Sequence, residues 1–145
     1  MTSRTILRIT VSYVLVLMFL VLGIWLTFGG WGTISTLGLT PGNLFDFVVG
    51  LVHCASGVLL FVSTTWEILK KNNPVYRYTG YVLRFQAIAY TCFLVAGTVF
   101  FVRNPVPGDL GYEGTIFVFA ILVFVTVGTA ILSKHFLELA RQGRV

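Results

Sequence analysis

The chain predicts an all-α integral membrane protein: one domain, a bundle of four transmembrane helices with both termini in the cytoplasm. Three observations lead there. Only 10% of the 145 residues are charged while 57% are hydrophobic, and the mean hydropathy is +0.91; a soluble domain carries about 25% charge and needs that polar shell. Four apolar runs, at 9–28, 45–69, 81–102 and 115–133, each approach the ~20 residues that a helix rising ~1.5 Å per residue needs to cross ~30 Å of hydrocarbon. Finally, nine of the ten basic residues flank these runs on a single side.

The first run follows Arg4 and Arg8, the layout of a secretory signal. It is too long for a cleaved h-region, and "LTFGGWG" follows in place of an A-x-A-like site, so it reads as a retained signal-anchor helix. Its Val, Ile and Thr content would favour strand in water. In lipid every backbone group must be bonded within the segment, so helix is expected here and in the other three runs.

The second and third runs are joined by "KKNNPVYRY", which combines Lys70, Lys71 and Arg77 with a proline stop and two tyrosines. These three cations read as a cytoplasmic loop that meets acidic lipid or a protein partner. With Arg4, Arg8, Arg84, Lys134, Arg141 and Arg144 they fix the orientation, since cytoplasmic segments gather Lys and Arg. Only Arg103 falls on the other side, where "GGWGTISTLGLTPGNLFD" and "RNPVPGDLGYEG" read as Gly- and Pro-rich connections. Trp25, Trp31 and Tyr112 fit an aromatic belt on that side, and Trp66, Tyr76, Tyr78 and Tyr81 one on the cytoplasmic side. A net charge of +5 placed at helix ends is a topology signal and not the basic face that nucleic acid requires.

Glu67 near the end of the second run and Arg84 near the start of the third are expected to form a structural ion pair pinning the 2–3 hairpin, since a partner lowers the cost of a charge just inside the headgroups. His53 is the one ionisable side chain well inside a run, a candidate intramembrane polar site. A haem between helices would need a second axial ligand. His135, the only other histidine, lies most of a bilayer away, so no haem is expected. Cys54 and Cys92 approach the depth of His53, yet the trio lacks a fourth ligand, and no metal is expected. No nucleophile–base pair is legible, so no catalytic residue is assigned. Small residues recur as Gly50, Cys54 and Gly57, as Ala87, Thr91 and Gly97, and as Gly114, Gly128 and Thr129. They predict close helix packing and not a pore. Thr10, Ser12, Ser56, Ser63 and Thr126 are expected to bond their own helix carbonyls.

The run "GVLLFVSTTWEILKK", an aromatic loop, and "GYVLRFQAIAYTCFLVAGTVFF" together resemble the COPI-associated membrane protein family and the related small fungal late-Golgi vesicle proteins. Gly57, Leu59, Leu60 and Glu67 match a G-x-L-L-rich second span ending in an acid. Arg84, Tyr90 and Gly97 match a third span that opens on Arg. Phe85 stands where that family often has Gly, and "RQGRV" is no dilysine coat signal. The resemblance covers about a third of the chain and implies a non-enzymatic protein of Golgi or endosomal vesicle traffic or membrane scaffolding. Two other readings stay open: an accessory subunit of a large respiratory or photosynthetic complex, and a small oligomeric channel or transporter lined by His53. The bilayer is the expected partner, with cytoplasmic or membrane proteins and homo- or hetero-oligomers open.

Overall fold

The computed structural model describes residues 2–69, 74–103 and 111–143. They form four helices: α1 (Ser3–Leu37), α2 (Pro41–Ile68), α3 (Val75–Arg103) and α4 (Gly111–Gln142). All four are long and apolar enough to cross a membrane. At ~1.5 Å per residue they measure about 42 to about 52 Å, so each exceeds the hydrocarbon core at one or both ends.

Helices α1 and α2 outrun their apolar runs because capping, not hydropathy, sets their ends. Thr2 caps α1 by accepting a bond from the Thr5 amide, and α1 continues straight through "FGGWGTISTL" to Leu37. Helix geometry thus overrides glycines that the sequence places in a connection. The true turn is Gly38–Thr40. Gly38 takes φ +82°, a conformation that suits glycine, and bonds back to the Ile34 carbonyl at 3.0 Å. Thr40 and Asn43 then close a capping box at the start of α2, with Pro41 in its first turn. The Asn43 amide also reaches the Gly38 carbonyl at 2.9 Å. This corner is therefore bonded within itself.

The helices alternate in direction, so the start of α1, the end of α2, the start of α3 and the end of α4 lie at one end, called here the basic end. Packing is uneven around the ring: α1 lies tightly on α2 and α3 on α4, while the two hairpins meet along a thinner seam. The α1–α2 contact is made by glycines. A Cβ on Gly23 would fall 2.6 Å from the Cys54 amide nitrogen, and one on Gly50 2.5 Å from that of Thr27. Gly30 abuts the Phe47 backbone and Gly57 the Leu20 side chain. The spacing of seven within each helix puts these pairs on one stripe, where backbones approach as small residues allow in lipid. Gly50, Cys54 and Gly57 thus do what their pattern predicts. Gly23 and Gly30 supply the facing half.

The core gathers Leu15, Val16 and Phe19 of α1 with Leu60 of α2, Leu83 and Tyr90 of α3, and Leu132 and Phe136 of α4. Beyond it, toward the far end, Phe93, Val95, Phe100, Ile116 and Phe117 are exposed, as lipid-facing side chains should be.

Candidate functional site

Arg8 enters on the second turn of α1, Glu67 on the last turn of α2 and His135 two turns from the end of α4, and the bundle brings the three together at its basic end. One oxygen, Glu67 Oε1, accepts from both Arg8 Nη2 and His135 Nε2, the latter at 2.9 Å. All three side chains are largely covered, Arg8 at 28% and the other two at 17% exposure. The carboxylate only accepts, so His135 Nε2 carries the proton it donates. An Arg–carboxylate pair is neutral as a unit, which is how a charge at this depth is made tolerable. The ring of His135 leans on Phe136 at 5.4 Å, and Phe136 stacks on Tyr76 of α3 at 5.9 Å. Every helix therefore touches this cluster or its immediate neighbours.

The expected Glu67–Arg84 pair does not form. Ser63 faces Thr79 and His53 faces Tyr90, which sets Glu67 level with about residue 75 of α3. Arg84 lies about nine residues further along, or about 13 Å at ~1.5 Å per residue. The apolar run starting at 81 conceals two turns of α3, Val75–Gly80, that are helical although polar and aromatic. Arg84 is instead exposed on the α3–α4 surface. From sequence, Arg8 reads only as a topology residue, and His135 enters only as a haem ligand too distant to serve. A search for every cation at the depth of Glu67 would have reached both.

His53 is buried at 7% exposure and fully engaged. Its Nδ1 lies 2.7 Å from the Val49 carbonyl. A carbonyl accepts only, so Nδ1 carries the hydrogen and Nε2 is left to accept from the Tyr90 hydroxyl. Phe19 of α1 meets the same imidazole edge-on at 5.8 Å. The arrangement joins α1, α2 and α3 in mid-bundle: Nε2 bonds across to α3, while Nδ1 is held within α2.

The remaining polar groups divide in two. Thr10, Ser12, Ser56 and Thr126 bond their own helix carbonyls, as expected. Ser63 does not: it pairs with Thr79 across the α2–α3 seam at 2.7 Å, and Ser133 reaches from α4 to the Gly80 carbonyl at 2.8 Å. Gln86, at 3% exposure, has neither amide atom hydrogen-bonded among the described residues. It escaped sequence reasoning because that reasoning sought acids and bases, and an amide inside a span is as telling a signal.

Cys54 faces α1 against Gly23, while Cys92 is exposed on the α3–α4 face, so the two cysteines and His53 are not assembled. Arg77 is exposed with its guanidinium 5.9 Å from the Tyr81 ring centre, within cation–π range. Lys70 and Lys71, the other two cations of the expected lipid or partner loop, lie outside the described residues.

No family model matches the chain, and comparison with curated proteins and with solved structures finds no similar protein.

Proposed function

We propose that this is a non-enzymatic integral membrane component of Golgi or endosomal vesicle traffic, or of membrane scaffolding, with both termini and the α2–α3 connection in the cytoplasm. One observation supports the reading above others: most residues of the resemblance join helices, although Arg84 stays exposed. Gly57 abuts Leu20 of α1, Glu67 accepts from α1 and α4, Tyr90 donates to His53, and Gly97 meets Phe119 of α4. A motif spent on helix contacts is the core of an architectural membrane unit, and its polar groups serve packing. The cytoplasmic placement rests on the side that gathers nine of ten cations.

Isolation of the tagged full chain from its native membrane in mild detergent tests this. The proposal expects coat, tether or Golgi cargo proteins to co-purify, and substitution of Lys70, Lys71 and Arg77 by Gln to reduce them. Stoichiometric recovery of the subunits of one large respiratory or photosynthetic complex would overturn it.

A further inference from the structure

A groove of about 580 Å³ runs along the outer surface where α3 meets α4. Two stripes form its walls. From α3 come Arg84, Ile88, Thr91 and Cys92; from α4 come Ala130, Lys134, Glu138 and Arg141. The polar residues gather toward the basic end. Ile88, Thr91, Cys92 and Ala130 continue the groove into the apolar part of the bundle.

The three cations converge although they start at different depths. Gly80 is level with Ser133 and Leu137, which places Arg84 about one turn deeper than Lys134 and Arg141 about two turns nearer the basic end. In a helix each Cα–Cβ bond tilts toward the N-terminus. Helix α3 begins at the basic end, so Arg84 leans outward along the groove. Helix α4 begins at the far end, so Arg141 leans inward. Both are directed to the level of Lys134.

The charge in this groove is not balanced by the protein. Neither Arg84, Lys134 nor Arg141 has a carboxylate within ion-pair distance among the described residues, and one acid, Glu138, stands among three cations. Arg84 is an exposed guanidinium beside apolar side chains on a membrane-facing surface. Such a group is costly in hydrocarbon unless an anion meets it.

From this geometry we infer that the α3–α4 groove is a binding site for one anionic glycerophospholipid. Its phosphate sits among Arg84, Lys134 and Arg141, and an acyl chain lies along Ile88, Thr91, Cys92 and Ala130. The chemistry argues for a lipid over a free anion, because the cationic end opens directly into an apolar trough that an inorganic ion would leave empty. It argues for an anionic headgroup over a zwitterionic one, because the local excess of positive charge is two. The small side chains Thr91, Cys92 and Ala130 leave the room a chain needs. The site is separate from the Arg8–Glu67–His135 cluster and independent of the trafficking reading.

Native mass spectrometry of the full chain in nonionic detergent, titrated with phosphatidylglycerol, phosphatidylcholine or inorganic phosphate, tests the inference. The expected result is one tightly retained phosphatidylglycerol, with phosphatidylcholine and phosphate not retained. Each cation contributes about fivefold to attraction of an anionic lipid, so Arg84→Gln should weaken retention about fivefold, and the triple change at Arg84, Lys134 and Arg141 on the order of a hundredfold. Ala130→Phe keeps every charge but fills the trough, and should also displace the lipid. Arg103→Gln, at the opposite end of α3 and outside the groove, should leave retention unchanged. Equal retention of phosphatidylcholine overturns the inference, as does binding of phosphate alone, an Arg103 effect as large as that of Arg84, or indifference to Ala130→Phe. All these variants change exposed side chains, and thermal melts of the lipid-free proteins confirm that each is folded.

Discussion

His53 and Tyr90 show how much one hydrogen bond specifies inside this bundle. The imidazole gives its Nδ1 hydrogen to the Val49 carbonyl and can then only accept at Nε2, so the hydroxyl of Tyr90 has one orientation available. Interhelical hydrogen bonds in membranes contribute about 0.6 kcal/mol on average and up to about 1.7. Tyr90→Phe preserves the ring and should therefore lower stability in detergent by about 1 kcal/mol. In a His53→Leu background the same change should cost almost nothing, because its acceptor is already gone; equal losses in the two backgrounds would separate the residues. This site was legible in part. A histidine mid-span announces itself, but its partner is a tyrosine 37 positions away, and without the register of α2 against α3 nothing selects Tyr90. The same missing register misassigned Glu67: sequence distance favours Arg84, whereas the fold supplies Arg8 and His135.

At the scale of elements, the four spans and their order follow from hydropathy alone, and the ends do not. Apolarity reports where a helix meets lipid. It is silent on where a helix starts or stops: Gly38 decides the end of α1 and the Thr40 cap the start of α2, well outside the apolar runs. Glycines illustrate the same limit, because spacing alone leaves their roles ambiguous. Gly50→Ala places a methyl group 2.5 Å from the Thr27 backbone nitrogen and must push α1 from α2. Gly29→Ala meets nothing within 4 Å, and alanine is favoured over glycine within a helix by about 0.8–1.0 kcal/mol. The first change should destabilise the protein by about 1–3 kcal/mol, the cost typical of overpacking; the second should be neutral or stabilising. Detergent melting temperatures of the two variants decide the matter, and similar losses from both would contradict a close-packed α1–α2 face.

For the whole molecule, the two hairpins touch along a seam much thinner than either internal contact. Polar contacts reinforce the shared apolar core along it. His53–Tyr90 and Ser63–Thr79 bridge α2 to α3, and Glu67 ties α2 to α1 and, across the diagonal, to α4. The central claim is that this carboxylate, paired with Arg8 and His135 and not with Arg84, closes the basic end of the bundle. Breaking a covered ion pair leaves its partner unmatched and costs about 3–5 kcal/mol when fully buried; at the partial exposure found here, a smaller loss of about 2 kcal/mol is expected for Glu67→Ala. The most direct measurement is a pair of double-mutant cycles on detergent stability, Glu67→Ala with Arg8→Ala and Glu67→Ala with Arg84→Ala. A coupling of about 1 kcal/mol or more in the first cycle, with none in the second, is the predicted result. Coupling to Arg84 with strict additivity at Arg8 would contradict the account.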